Sequence, residues 1–452
     1  MYRTPVGVLP DDFFFGCATS AYQIEGGIEN DWAEWERQGR LHDSHARCGP
    51  ATQHWERFVE DFDRLEEIGA DAYRFSIEWA RVEPSPGRFD EVAIQRYVRM
   101  TEDLVRRKIR PIITFLHFTH PPWFHTTCPW HADQGAPDRF ALFVRRMMQA
   151  LEERCQFFTV VNEPMVWLLG AYGVGVIPPG IKNLRFLALA AANLMRAYVR
   201  ARHIIRAYAP DARCGIAHNV VRFAPDRSAS PTDRWITHAV HHFYNHAIPE
   251  VLTHGHLSVG ILPGNTYKHE IPEARGSLDF LGINYYSRIH IRFDPFRRMG
   301  KHRIWAFYDD REGQGVTDLG WEIHPRGLLS MLLDMSRYDV PLVVTENGLD
   351  DRDDTRRARY LYDHLQSVLE ARRRGVDIRG YLHWSLLDNF EWLDAFEPRF
   401  GLFRVDYASQ ERTATKAAQL FKTIANTRML PDKPPRMDRR PGEPKGVLPD
   451  AP

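Results

Sequence analysis

Charge of one sign is the first thing this sequence lacks. Its 452 residues carry 59 Lys+Arg against 59 Asp+Glu, a formal net charge of zero. Without a positive field, the charge balance gives no reason to expect nucleic acid or an anionic membrane as partner. Long apolar runs are missing too, and none approaches the ~20 residues that a membrane-spanning helix needs. The N-terminal MYRTPVGVLPDDFFFG holds no apolar stretch of signal-peptide length. Cysteine is scarce and scattered. Cys17, Cys48, Cys128, Cys155 and Cys214 form no CxxC and no paired spacing, so neither a zinc site nor a disulfide framework is expected. These absences lead to the expectation of a soluble, cytoplasmic protein. Lysine is nearly absent as well, 8 residues against 51 arginines, which reads as genomic composition and not as function. No short-period repeat occurs, and no G-x-G-x-x-G follows the first apolar run.

What remains is a globular composition, 44% hydrophobic and 26% charged, which excludes a disordered or collagen-like chain. Aromatics reach 12%, including 12 Trp, enough for some rings to serve as surface platforms. Short runs rich in β-branched and aromatic residues recur at 13–20, 72–79, 110–118, 157–163, 213–220, 279–286, 341–348 and 378–385. Each reads as a strand buried on both faces, as in a parallel sheet. Amphipathic stretches separate them: 52–68, 90–108, 138–154, 184–208, 325–338, 355–374 and 411–426 read as helices. Eight strands with crossover helices predict an α/β fold, one (β/α)8 TIM barrel over residues 1–429 with long βα loops at its C-terminal face. An open doubly wound sheet is the alternative, disfavoured by the missing glycine motif. Residues 287–324 read as a loop over the top of the barrel. The Pro-rich, charged segment 430–452 reads as an extended or disordered tail.

The strand ends carry the functional signal, because active sites in such barrels form where the C-terminal ends meet. Those ends hold Gln23, Arg74 and Glu78, His117, Asn162-Glu163, Asn284-Tyr285-Tyr286, Glu346-Asn347, Trp384 and Glu391-Trp392. Carboxylates closing apolar strands are costly unless they are paired or serve chemistry. One such Glu alone reads as an ion-pair partner for Arg. Glu163 and Glu346 at one face, with amides, an imidazole and indoles beside them, read as an active site. Indoles stack on the apolar faces of sugar rings, amides and carboxylates bind hydroxyls, and two carboxyl groups are what acetal cleavage needs. No metal cluster or phosphate-cradling loop competes for this face, and no cofactor is expected.

The segments FFFGCATSAYQIEGG (13–27), YRFSIEWARVEP (73–84), TVVNEP (159–164), DFLGINYY (279–286), LVVTENG (342–348) and HWSLLDNFEWLDAFEPRFGLFRVDY (383–407) occur in this order. In them the chain resembles glycoside hydrolase family 1, the β-glucosidase-like retaining enzymes. The resemblance implies that Glu163 is the general acid/base and Glu346 the nucleophile, with carboxyl groups about 5–5.5 Å apart. It implies that Asn162 binds the sugar 2-hydroxyl, and that Tyr286 and Arg74 keep Glu346 ionised while Glu163 is raised. Gln23, His117 and Glu391 would read outer hydroxyls, Trp384 would floor the sugar, Trp392 would close its far edge, and Asn284 would orient nearby groups. Trp321 resembles the leaving-group platform; a buried loop-anchoring Trp is the open alternative.

The chain departs from the family's His-Trp-Asp with His117-Phe118-Thr119, which keeps a ring and loses the indole donor. Met165 stands where many relatives place Trp, with a ring at Trp167 instead, so the leaving-group side differs. Retention of Glu391 speaks against 6-phospho sugars. The implied activity is exo-hydrolysis of small β-glycosides, β-glucosides first, with β-galactosides and β-fucosides open. Transglycosylation by the same intermediate, or a catalytically silent sugar-binding protein, are the alternatives. Homo-oligomerisation is left open, and the histidines, among them His241-His242, are expected at surface or helix positions without metal.

Overall fold

The protein is described from a computed structural model covering residues 7–132, 135–261, 264, 266–296 and 303–436. Eight strands close into a barrel: β1 (Phe14–Ala18), β2 (Ala72–Ser76), β3 (Arg110–Thr114), β4 (Phe157–Asn162), β5 (Arg213–Asn219), β6 (Phe280–Asn284), β7 (Leu342–Asn347) and β8 (Ile378–Trp384). All neighbouring pairs are parallel, and closure comes from β1 on β8, with Phe14 opposite Gly380 and Ala18 opposite Trp384. That pairing excludes the open sheet.

The period-two geometry of a strand divides each run between two cores. From β1, Phe14 and Ala18 point into the barrel with Ile112, Phe280, Val343 and Leu382. Phe15 points outward, stacking on Phe421 of the C-terminal helix at 4.0 Å between centroids. Both faces are thus buried, which is why the strands read as continuous apolar runs. The enclosing helices include His54–Glu67, Glu91–Arg106, Ala136–Leu151, Leu184–Tyr208, Pro325–Met335 and Arg357–Arg373. Side-chain caps start several of them: Asp90 accepts from the Val92 and Ala93 amides, and Asn183 from those of Arg185 and Phe186.

Three expectations are corrected. The stretch 411–426 is not one helix. Residues Arg412–Ala414 pair as a strand with Phe403–Val405, and Thr415 caps a helix that begins at Lys416. The stretch 287–324 is not wholly loop. Arg288–Phe293 pairs with Ile304–Phe307 and with Arg222–Pro225, and its alternating Ile289, Ile291 and Phe293 pack on an apolar cluster with Phe223 and Ile236. Between β5 and β6 the sequence reading also missed the helical stretch from Pro231 to His254. In the tail, residues 437–452 lie outside the described residues. None of the described helices is long and apolar enough to cross a membrane.

Candidate active site

At the C-terminal end of the barrel lies a cavity of about 320 Å³, and its walls include Glu163, Glu346, Glu391, His117, Trp384 and Tyr286. A larger groove of about 1160 Å³ runs outside the barrel along Pro325–Met335 and Arg357–Arg373. It is a helix surface laced by pairs such as Arg359–Asp363, with no converging carboxyl groups of the kind found inside the barrel.

Local backbone geometry aims the two key carboxyl groups. Glu346 follows a register shift on both sides of β7, after Val344; bulges of this kind re-aim side chains at barrel rims. Gly348 makes room beside it, since a Cβ there would sit 1.8 Å from the Trp384 carbonyl oxygen. Glu163 ends β4 in the left-handed region, φ 43° and ψ 57°, with Pro164 starting a short helix. Its N–H donates to the Ala217 carbonyl at 2.7 Å. Phe118 (φ 71°) and Trp392 (φ 54°), both lining the cavity, are left-handed as well. Each such residue costs on the order of 1–3 kcal/mol, a cost met by the packed loops around them.

Below the cavity floor Arg74, fully buried, ties the strand ends together. Its guanidinium donates to Glu346 Oε1 at 2.5 Å, to Asn162 Oδ1 at 2.6 Å, and to the Thr114 and Thr159 hydroxyls at 3.0 Å each. Tyr286 donates its hydroxyl to Glu346 Oε2 at 2.7 Å. The Asn284 amide donates to Glu163 Oε1 at 2.9 Å and to Asn162 Oδ1 at 3.2 Å. Asn162 Oδ1 thus accepts from both Asn284 and Arg74 and links the surroundings of the two carboxyl groups.

A family model, glycosyl hydrolase family 1, matches residues 6–429. This chain belongs to that family. It is 30% identical to β-glucosidase A of Thermotoga maritima, over 94% of this chain and 99% of that protein. Among solved structures it is similar to a β-glycosidase from Pyrococcus horikoshii, with a TM-score of 0.87, 32% identity, and 95% of this chain and 97% of the other covered. It is also similar to a β-glucosidase from T. maritima in complex with glucoimidazole, with a TM-score of 0.85, 28% identity, and 94% and 100% covered. The chain is accordingly a glycoside hydrolase on the TIM barrel.

The electrostatics of this family 1 site separate its carboxyl groups. Burial, and then the negative charge of Glu346, push Glu163 up to about 8. Burial pushes Glu346 up as well, and Arg74 and the Tyr286 hydroxyl pull against it. Of the pair, Glu346 carries a guanidinium, so it holds the charge and Glu163 the proton. Glu391 is pushed to about 8 by burial, against the Trp384 indole N–H that donates to it at 3.2 Å. Burial and then Arg74 hold His117 well below the usual imidazole range, so it is neutral. Its Nε2 accepts from the Asn162 amide at 3.0 Å, and its buried Nδ1–H has no hydrogen-bond partner among the described residues.

Arg74→Met is expected to destabilise the fold by about 3–5 kcal/mol at pH 7, because Glu346 then lies buried without its cation. Loss of the cation raises the folded-state pKa of Glu346 further. The deficit should therefore shrink as pH falls toward 5 and the carboxylate takes up a proton. Urea denaturation at both pH values tests this; equal losses would assign the cost to packing alone.

Of the residues expected at the site, Glu163, Glu346, Asn162, Tyr286, His117, Phe118, Trp321, Trp384, Glu391 and Trp392 line the cavity. Trp321 does so half-buried, with its ring 5.8 Å from Tyr286 and 6.1 Å from Phe400. Arg74 and Asn284 lie beneath the lining, both fully buried. Gln23 is off the lining too. Its amide donates to Asn389 Oδ1 and the Phe390 carbonyl at 2.8 Å each, and its Oε1 accepts from Ser20, so it braces the segment leading to Glu391. Glu78 is also set back, accepting from the Thr119 hydroxyl beside Phe118 at 2.8 Å.

Trp167 corrects the reading of the leaving-group side. Its ring is buried against His120, Trp130 and Tyr172, and Val166 faces the cavity in its place. The sequence reading missed Asn219, Tyr244, Tyr308 and Phe400. For Asn219 the signal was present, since it ends β5 as Asn162 ends β4. Asn219 donates to Glu163 Oε1 at 2.9 Å and accepts from the Tyr244 hydroxyl at 2.8 Å. Two amide donors thus fill Oε1, and among the described residues no donor reaches Oε2, where the proton belongs.

Two His-His-Asp groups form outside the cavity, Asp31-His120-His125 and His241-His246-Asp334. His241 lies on a helix, as expected, and is half-buried there with Asp334 as its partner. In each group a donor holds the far ring nitrogen: the Trp130 indole on His120 Nε2 and the Asn245 amide on His241 Nδ1. The imidazole proton then lies on the nitrogen facing the carboxylate, so these are His–Asp hydrogen bonds.

Proposed function

We propose that this family 1 glycosidase is a retaining exo-β-glycosidase of small β-glycosides, with β-glucosides the first candidates. One observation carries the proposal. Two carboxyl groups line one cavity, Glu346 paired with Arg74 and Glu163 raised to about 8 with its amide donors on Oε1 alone. Trp384 and Glu391 beside them suit a sugar ring, an apolar face on the indole and hydroxyls on the carboxyl group.

In the first step, Glu163 Oε2–H gives its proton to the glycosidic oxygen as the C1–O bond breaks, and a Glu346 carboxylate oxygen bonds to C1 from the opposite face. The leaving alcohol departs with the proton. Glu346 is now a neutral ester, so the charge that raised Glu163 is gone, its pKa falls, and it stays ionised and able to accept a proton. It takes a proton from water, whose oxygen attacks C1 on the face the alcohol left. The Glu346–C1 bond breaks and the sugar leaves as the β-anomer, with both carboxyl groups restored.

A panel of nitrophenyl β-glycosides (gluco, galacto, fuco, manno, xylo) tests the proposal, with NMR of the first product anomer. A β-hemiacetal formed first is expected; an α-hemiacetal would remove the retaining mechanism. Adding an alcohol or sugar acceptor and analysing the products separates hydrolysis from transglycosylation.

The pH dependence follows from the same charges. Activity needs Glu163 protonated, so kcat/KM should fall as pH rises through about 8. It needs Glu346 ionised, so activity should also fall on the acid side, at a pH above the ordinary carboxylate range. Glu391 titrates near 8 too. An alkaline limb that survives in Glu163→Ala, measured on a dinitrophenyl glycoside, would belong to Glu391.

A further inference from the structure

In the proposed acid step Glu163 gives its proton from Oε2. What keeps the proton on that oxygen is the orientation of two amides. Asn219 and Asn284 each donate to Glu163 Oε1 at 2.9 Å. An amide offers NH2 donors on one side and an acceptor oxygen on the other. Turned over, it would present Oδ1 to Glu163, take a hydrogen bond from a proton on Oε1, and leave Oε2 bare.

A hydroxyl group holds each amide oxygen. The Thr345 hydroxyl donates to Asn284 Oδ1 at 2.6 Å, and the Tyr244 hydroxyl to Asn219 Oδ1 at 2.8 Å. The two amides are not equally secured. Asn284 also donates to Asn162 Oδ1, which accepts from Arg74, so turning it would set two carbonyl oxygens against each other. Asn219 has no such second partner among the described residues, and Tyr244 alone fixes its sense. Tyr244 comes from the π-helical turn His242–His246, a wider turn that recurs at functional positions. The next residue, Asn245, accepts from the Val221 N–H at 2.9 Å and donates to the Val221 carbonyl at 3.0 Å. The turn thus also grips the segment that follows Asn219. The Tyr244 ring packs edge-on against Phe223, 5.5 Å between centroids, so its place does not depend on the hydroxyl.

We propose that Tyr244 is a positioning residue for the acid step: by holding Asn219 Oδ1 it turns the Asn219 NH2 to Glu163 Oε1 and keeps the catalytic proton on Oε2. This rests on the glycosidase reading and adds a residue to it. The effect belongs to the first step alone. In the second step Glu163 is an anion, and its charge itself draws the Asn219 NH2 toward it, with or without Tyr244.

The experiment measures Tyr244→Phe on an alkyl and a dinitrophenyl β-glycoside of the sugar that the panel ranks first. Phenylalanine keeps the ring and removes only the hydroxyl, so the turned amide then competes for the proton. For the alkyl glycoside kcat/KM is expected to fall about 3–10-fold, the worth of one neutral hydrogen bond. The dinitrophenyl glycoside needs no proton and should stay within about twofold in both kcat/KM and kcat. In an Asn219→Ala background no amide oxygen is there to take the proton, so Tyr244→Phe should cost nothing further. Unchanged rates on the alkyl glycoside overturn the inference. So does an equal loss on both substrates, since loosening of Glu163 acts on both steps, and so does a loss that persists undiminished in Asn219→Ala. In each of these cases glycosidase activity stands. If the wild-type protein cleaves no β-glycoside at all, the reading beneath the inference falls with it.

Discussion

Glu346→Ala is expected to lose about 10⁴-fold or more of its turnover on nitrophenyl β-glycosides. That corresponds to about 5.5 kcal/mol or more of lost transition-state stabilisation. The size follows from what the residue is asked to do. No other carboxyl group in the cavity has a guanidinium at 2.5 Å and a tyrosine hydroxyl at 2.7 Å to hold it ionised. Glu391 is raised to about 8 with an indole as its side-chain donor, so it cannot substitute as the anion. Azide should restore turnover by filling the vacated space. It would attack C1 from the side opposite the leaving group, so the product is the α-glycosyl azide. Wild-type rates in Glu346→Ala, or a rescued product of β configuration, would reassign the nucleophile.

Glu163→Ala should give the second largest effect, of a different kind. General acid–base catalysis contributes about 10²–10⁴-fold, and the loss should depend on the leaving group. An alkyl glycoside needs the proton and should lose the full factor in kcat/KM. A dinitrophenyl glycoside leaves unaided, so its first step survives. The second step then lacks its base, the glycosyl-enzyme accumulates, and kcat and KM should fall together. Azide would attack that intermediate on the open face and yield the β-glycosyl azide. The opposite configurations from the two variants assign the two residues without reference to either rate. A uniform loss across leaving groups would show that Glu163 acts through structure instead.

Both variants also test why the fold places these groups in contact. Arg74 lies on β2, Glu163 on the end of β4, Asn284 on β6 and Glu346 on β7. Asn284 is 121 residues from Glu163, and Arg74 is 272 from Glu346. Only closure of the sheet brings them within hydrogen-bond reach.

Much of this was legible beforehand. The eight apolar runs are properties of the local chain: burial on both faces demands them, and period and composition report burial directly. Polar residues ending those runs are equally local, which is why Glu163, Glu346, Asn162, Tyr286 and Trp384 could be named from the chain. Asn219 was readable by the same rule, as the polar end of β5. The alternation of Ile289, Ile291 and Phe293 likewise marked a strand inside what read as loop.

Other features had no local signal. Nothing in the string Asn-Glu-Pro-Met-Val-Trp says that Trp167 turns into the core and Val166 toward the cavity; the left-handed Glu163 and the short helix after it decide that. Gln23 has the chemistry of a hydroxyl reader, yet its amide is spent on Asn389 and Phe390, more than 360 residues away. The protonation of Glu163 depends on which donors reach which oxygen, and that is set by β5 and β6 lying side by side with Asn219 opposite Asn284. The chain's pattern therefore settles the barrel, the two carboxyl groups and the rim they occupy, because burial and strand ends are written residue by residue. Charge state and proton position come from the closed barrel, because they depend on distances between side chains that no stretch of sequence contains.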